Sequence, residues 1–234
     1  MNVISIIIPT LHEAPNIARC LQRLHAGDAA LIREIIVVDA SSKDDTAGIA
    51  RANGAKVAVV AARSRAFQMN AGAAMATGDI LYFVHADVLP PTSFAGDIMQ
   101  AINEGAEMGR FRFRFDSPRL MLKINSWFTR FDRTWVSGGD ETLFIRRDVF
   151  GQHGGYNERF IIMEEYDLVA RARKTAKYTV IQKDVLVSAR KYEHNSWWAV
   201  QRANLTAFRM FRQGAEPAAI KQVYHRMIRH PKDI

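Results

Sequence analysis

The sequence predicts an α/β fold: a doubly wound, mostly parallel sheet with helices on both faces and a C-terminal helical segment. Three observations carry this. Four short Val/Ile-rich runs open the chain at near-regular intervals, at Val3–Ile8, Ile35–Val38, Val57–Ala61 and Ile80–Val84. The runs are nearly continuous rather than alternating, as strands buried on both faces of a parallel sheet are. Helical patterns fill each interval, and repeated strand–helix–strand units wind such a sheet.

Taken in order, the N-terminus enters Val3–Ile8 with no basic segment and no small-residue cleavage site, so it reads as a strand rather than a signal peptide. The first helix has Pro15 in its first turn, where a missing N–H costs nothing, and Ile17, Leu21 and Leu24 share one face. The second starts near Asp44-Asp45-Thr46 and ends at Asn53-Gly54, and the third runs from Ala66 to Ala76 and stops at Thr77-Gly78. After Pro90-Pro91 the pattern loosens. Met108–Phe115 alternates Phe111, Phe113 and Phe115 with Arg110, Arg112 and Arg114, the pattern of a half-exposed strand. Residues 118–132 read as a helix and Thr142–Arg146 as a strand. Glu164–Lys174 reads as a helix with acids first and bases last, matching its dipole. Trp197, Val200, Phe208 and Phe211 fall within roughly 80° on a final helix flanked by Arg202 and Arg209. That stripe reads as core packing or as a membrane contact.

A chain of 234 residues suits one domain with a full core. Its 48% hydrophobic and 24% charged residues exclude disordered, collagen-like and disulfide-scaffold classes. The single cysteine, Cys20, cannot form an intrachain disulfide and fits a reducing cytosol. Apolar runs break well before the ~20 residues of a membrane span. The net charge of +8 is uneven: residues 1–170 carry −2 and residues 171–234 carry +10. A basic block of that kind suits an anionic partner (lipid headgroups, nucleic acid or a phosphorylated substrate) or serves as a solvated face.

In an open parallel sheet, ligands bind beyond the carboxyl ends of the strands. The first strand is followed by Pro9-Thr10-Leu11-His12-Glu13, the second by Asp39-Ala40-Ser41-Ser42-Lys43-Asp44-Asp45-Thr46. The third is followed by Arg63-Ser64-Arg65-Ala66-Phe67-Gln68-Met69-Asn70 and the fourth by His85-Ala86-Asp87. Polar groups at all four ends, with apolar groups between them, point to a nucleotide. Asp39 can accept from a base N–H, Arg65 can face a diphosphate with a forked pair of donors, and Asp87 can hold a hard divalent cation. No Gly-x-Gly-x-x-Gly follows the first strand and no Gly-Lys-Ser/Thr occurs, which disfavours a dinucleotide fold and excludes a P-loop.

These residues resemble a family. Ile6-Ile7-Ile8-Pro9-Thr10 with Glu13, Val37–Thr46 and Gly78–Asp87 are similar to the inverting family-2 glycosyltransferases of the GT-A fold. The stretch Arg65–Gly72 looks closer still to a small soluble bacterial subgroup associated with radical-SAM or arsenosugar pathways. The likeness continues through Gly138-Gly139-Asp140-Glu141 and Met163-Glu164-Glu165-Tyr166-Asp167 to Ser188-Ala189-Arg190-Lys191, nearly the whole chain.

The resemblance implies a single domain over 1–234, with a nucleotide-binding half over about 1–90 and an acceptor half over about 91–190. The remainder, about 191–234, is the basic helical segment. Pro9, Thr10, Glu13, Asp39, Arg65, Gln68, Asn70, His85 and Ala86 would line the nucleotide pocket. Asp87 would ligate Mg²⁺ or Mn²⁺, matching the last acid of the family's Asp-x-Asp signature. Glu164 and Glu165 match the family's Glu-Asp pair, whose second member is the base, and Asp140 and Asp167 would border the acceptor. Two departures stand out: His85 replaces the first acid of Asp-x-Asp, and Glu165 replaces an Asp. The second leaves the base open among Glu165, Glu164 and Asp167.

The implied reaction is a single displacement from a nucleotide sugar, a UDP-sugar by expectation, to a hydroxyl acceptor, inverting the anomeric carbon. Crowded acids at Glu164, Glu165 and Asp167 would raise one another's pKa, which suits a base. Bland readings remain beside these: helix capping at Asp44 and Asp45, a satisfied core histidine at His85, a helix N-terminus at Glu164-Glu165, a local turn at Asp140-Glu141 and a surface histidine rather than a metal ligand at His194. Rival functions are a nucleotidyltransferase of similar core, or a catalytically degenerate protein gripping an anionic partner with its basic tail. The tail lacks the aromatic–basic interleave of base-stacking surfaces, so no nucleic acid is expected. A cytoplasmic location is expected, with peripheral membrane contact through the C-terminus and dimerisation through its aromatic helix both open.

Overall fold

The computed structural model describes residues 2–62, 64–132 and 142–229. Four parallel strands open it: β1 (Ile4–Thr10), β2 (Ile32–Asp39), β3 (Lys56–Val59) and β4 (Ile80–Phe83). Between them run α1 (Ala14–His25), α2 (Thr46–Ala52) and α3 (Arg65–Met75). β5 (Val88–Leu89), α4 (Phe94–Asn103), β6 (Met108–Phe115) and α5 (Leu120–Phe128) follow. Then come β7 (Leu143–Arg146), α6 (Arg147–Gln152), α7 (Glu164–Ala172) and β8 (Tyr178–Val187). A short 3₁₀ turn at Arg190–Tyr192 leads into α8 (Trp197–Arg212) and α9 (Pro217–Met227). The sheet order is β3-β2-β1-β4-β7-β6-β8-β5. β1, β2, β3 and β4 pair in parallel, as do β6 and β8, whereas β7 and β5 run antiparallel to their neighbours.

The strand pleat sorts the core into two layers. Ile6 and Ile8 of β1 face one cluster with Leu21 of α1, Phe94 of α4 and Val200 of α8, while Ile7 faces the other with Met69 of α3, Phe150 of α6 and Leu168 of α7. Helices thus cover both faces, as expected. β1 and β4 are buried throughout, so each reads as a nearly continuous apolar run. α3 lies close to the sheet because residue 72 is glycine: a Cβ there would come within 2.5 Å of the Ile7 side chain. Gly54 takes φ +81° in ending α2, as the Asn-Gly pair anticipated.

Two expectations need correction. β3 is an edge strand with exposed ends rather than one buried on both faces. Arg110, expected on the solvent face of β6, is 1% exposed, and its Nη2 donates to the Phe131 carbonyl at 3.1 Å. Of the two readings of the C-terminal stripe, core packing holds: Val200 is buried, and the Phe208 and Phe211 rings meet Tyr166 of α7 at 5.8 and 6.2 Å. Among the described residues no helix is long and apolar enough to cross a membrane.

Candidate functional site

The carboxyl ends of β1, β2 and β4 build one rim. The register sets Thr10 beside Asp39. Thr10 Oγ1 donates to Asp39 Oδ2 at 3.0 Å, and Ser42 donates through its backbone N–H (2.7 Å) and its hydroxyl (2.6 Å). Three donors fix a buried carboxylate at the strand ends. Beneath it, Gln68 of α3 donates both amide hydrogens to backbone, at Thr10 O (2.8 Å) and Val38 O (2.7 Å). Pro9 is buried within β1 opposite Val38.

At the start of α1, the Glu13 backbone N–H donates to Thr46 Oγ1 at 2.9 Å. Its buried carboxylate accepts from Asn16 Nδ2 (2.7 Å) and from both Arg190 terminal nitrogens (3.0 and 3.3 Å). Arg190 Nη2 also lies 2.9 Å from Asp87 Oδ2. One guanidinium therefore joins the acid expected beside the nucleoside to the acid expected at the cation. Arg190 is the rim residue that sequence reasoning quoted within a motif without giving it a role. Its signal was a basic pair ending an apolar segment on the way to a helix.

Two further pairs stand on the same side. His85 Nε2 lies 3.1 Å from Glu165 Oε1. Burial works against charging His85, yet the Glu165 contact outweighs it and holds the imidazole above its ordinary value. Burial also pushes the Glu165 carboxyl above the usual carboxylate range, and the imidazole and Arg65 draw it back only in part. The two titrate as a unit. Burial, rather than the acid crowding expected from the sequence, is the main cause. Arg65 Nε approaches Glu164 Oε1 at 2.6 Å, a charge contact without the alignment of a good hydrogen bond. At the entrance to α7, Met163 adopts φ 67°, and His12 (φ 53°) and Ser41 (φ 54°) follow β1 and β2. These are the left-handed non-glycine residues among those described, and all three border the rim. Backbone strain of this kind gathers at functional sites.

Other expected residues are placed differently. Asn70 holds the 156–158 loop through Tyr156 O, Tyr156 N and Glu158 Oε1, each at 2.9 Å. Asp167 accepts twice from Arg171, at 2.7 and 2.9 Å, and Arg171 Nη2 also donates to Gly155 O. These side chains, like Gln68, spend their bonds on scaffold. The Ala86 side chain is buried in the core, His194 is exposed, and Asp140 lies outside the described residues.

The donor set tests the expected cation. Among the described residues no three His, Cys, Asp or Glu side chains gather to enclose one. Asp87 offers a hard, partly exposed carboxylate whose present partner is itself a cation. That suits Mg²⁺ or Mn²⁺ held by one or two carboxylates and completed by substrate phosphates. The residues fit such an ion shared with a diphosphate, not a self-contained cage.

Residues 5–160, two thirds of the chain, match the family described as Glycosyl transferase family 2. A PGL/p-HBAD biosynthesis glycosyltransferase of Mycobacterium bovis is 28% identical over 195 residues, covering 71% of this chain and 68% of that protein. Among solved structures, the fold is shared with the mannosyltransferase PcManGT of Pyrobaculum calidifontis, in complex with GDP-Man and Mn²⁺ (TM-score 0.66, 20% identity, 96% of this chain and 68% of that one). It is shared too with S. aureus TarS 1-349 in complex with UDP-GlcNAc (TM-score 0.67, 16% identity, 96% and 71%). A third is glucosyl-3-phosphoglycerate synthase of Mycobacterium tuberculosis, with Mn²⁺, UDP and glucosyl-3-phosphoglycerate (TM-score 0.61, 19% identity, 92% and 81%). With two thirds of its length matched to that family, the chain belongs to glycosyl transferase family 2 and is a glycosyltransferase.

Proposed function

We propose that this enzyme moves a sugar from a UDP-sugar to a hydroxyl acceptor by a single displacement that inverts the anomeric carbon. The observation that carries the reading is the convergence of the Thr10–Asp39, Glu13–Arg190–Asp87 and His85–Glu165 contacts on one rim. The Asp39 carboxylate, held by three donors, accepts from a base N–H. Arg65 and Arg190 present guanidinium groups to the diphosphate, where charge grows as the leaving group departs. Asp87 would hold Mg²⁺ or Mn²⁺ together with the phosphates, and that ion supplies further charge stabilisation when bound. Glu165 takes the proton from the acceptor hydroxyl. The new C–O bond forms as the bond from the anomeric carbon to the phosphate oxygen breaks. A carboxylate raised toward neutrality and held in place by an imidazole suits that work.

Uridine is favoured because two of the three neighbours named above carry UDP or UDP-GlcNAc, although the third carries GDP-Man. The subgroup likeness at Arg65–Gly72, the cytoplasmic location and a place for Asp140 at the acceptor belong to this proposal, in which Gln68, Asn70, Ala86 and Asp167 serve donor and acceptor by holding the walls around them. The degenerate-protein reading loses ground, because His85 has a partner in Glu165 rather than an orphaned place. Dimerisation through the aromatic stripe loses ground too, since that stripe packs inward.

A thermal-shift screen of nucleoside diphosphates and their sugars, with and without Mn²⁺, tests the reading. UDP or a UDP-sugar should raise the melting temperature most, and by more with the ion than without it. No shift with any nucleotide would overturn it.

A further inference from the structure

Helix α5 is built inside out. Its inner face is fastened by hydroxyls: Ser126 Oγ accepts from Phe115 N–H at 3.3 Å, and Thr129 Oγ1, just past its end, accepts from Phe113 N–H at 3.1 Å. These bonds satisfy the stretch of β6 beyond Gly109, where pairing with β7 stops. Only Leu122 is buried beneath the helix. The outer face is apolar. At 100° per residue, Leu120, Met121, Ile124, Trp127 and Phe128 fall within about 120°, and all are exposed, Leu120 by 70% and Trp127 by 48%. Phe131, in the next turn, joins them through ring contacts with Trp127 (5.1 Å) and Phe128 (6.4 Å). Six of the eleven large exposed apolar side chains among the described residues lie on this one surface. Of the other five, Trp198 and Leu205 share a face of α8, and Val59, Met75 and Ile161 lie elsewhere in the chain.

Charge selects what covers it. From Ser117 to Phe131 the sequence holds no acid, and the acids at its two ends are engaged elsewhere, Asp116 accepting from Ala189 N–H and Asp132 pairing with Arg173. Arg119 and Lys123 lie on one flank of the apolar arc, and the Arg130 guanidinium sits 4.8 Å over the Trp127 ring. Apolar and aromatic side chains edged by cations are the pattern of a helix lying in the plane of an anionic membrane surface. A second copy fits less well, because a two-fold contact sets the same patch, with its Arg119, Lys123 and Arg130, against itself.

We infer that the outer face of α5 docks on an anionic lipid surface, its aromatic side chains entering the interface and its basic flank meeting the headgroups. This moves membrane contact from the C-terminal stripe, which is packed, to a different helix. The surface also has a line to the site: Arg119 Nη1 donates to Tyr192 O at 2.7 Å, in the turn that carries Arg190.

Vesicle flotation of the full chain, without any sugar or nucleotide, tests this independently of the proposed reaction. The chain should float with vesicles of phosphatidylcholine and phosphatidylglycerol, far less with phosphatidylcholine alone, and less as salt rises. Replacing both Trp127→Ser and Phe128→Ser should cut binding about tenfold or more, and Lys123→Glu alone about fivefold. Both substitutions sit at exposed positions, and unchanged circular dichroism verifies folding; Lys123→Glu carries the test if the double variant fails to fold. Absence of flotation, equal binding to neutral vesicles, or undiminished binding by a folded variant would overturn the inference. So would a dimer that the double variant abolishes while vesicles are ignored.

Discussion

His85 stands where the family that this chain resembles carries an acid, and Glu165 explains what it does there. An acid at position 85 would face Glu165 with like charge. The imidazole instead meets Glu165 Oε1 at 3.1 Å, so the pair can hold one proton between buried groups. Glu165→Gln keeps an oxygen to accept from His85 but cannot take a proton. It should leave donor binding unchanged and lower kcat by about 10²–10⁴-fold, as measured by calorimetry and steady-state transfer. Normal turnover would move the base elsewhere. Residue types told much less about Gln68, Asn70 and Asp167. Each was a sound polar candidate, yet each bonds to backbone or to a scaffold arginine, and composition cannot say to whom an amide donates. Arg190 escaped for the converse reason. It is 177 positions from Glu13 in sequence and meets it only through the fold.

Legibility also followed burial among the elements. β1, β2 and β4 were readable because both faces are apolar, and α1 because Ile17, Leu21 and Leu24 repeat on one buried face. β8 was missed because its middle, Gln182-Lys183-Asp184, is exposed and breaks the period. The register with β6 jumps there, Phe111 pairing with Ile181 but Arg112 with Asp184. Opposite the rim, Glu34 ties the strands' other ends. It accepts from Ser5 Oγ (2.9 Å), Thr77 N–H (2.7 Å), Thr77 Oγ1 (2.8 Å) and Lys56 Nζ. Burial would raise its pKa, but these donors outweigh that and hold it at about 2, below its ordinary 4.5. A depressed carboxyl contributes stability that is complete above the unfolded value and lost as pH falls through the folded one. Lys56 is largely exposed, which discounts its share. Glu34→Gln should therefore cost roughly 1–3 kcal/mol at neutral pH. In denaturant melts the gap from wild type should close as pH drops from about 4.5 toward 2. A gap that persists at pH 2 would show the loss to be packing rather than charge.

Across the molecule, charge is divided by task. The rim concentrates acids and arginines at the ends of parallel strands, while the C-terminal quarter carries the surplus of ten positive charges. The expected fold class was legible because βαβ winding leaves a long-range signature in the sequence. The outward face of α5 was not, because an apolar stripe reads the same whether it faces core or lipid. The central claim is that this rim grips a nucleoside diphosphate through Asp87 and an ion shared with its phosphates. Calorimetry of UDP binding, with and without Mn²⁺, to the wild-type chain and to Asp87→Ala addresses it directly. The wild type should bind UDP with an affinity that Mn²⁺ raises at least about tenfold, and Asp87→Ala should lose that gain. Binding that ignores Mn²⁺, or that Asp87→Ala leaves intact, would contradict the account.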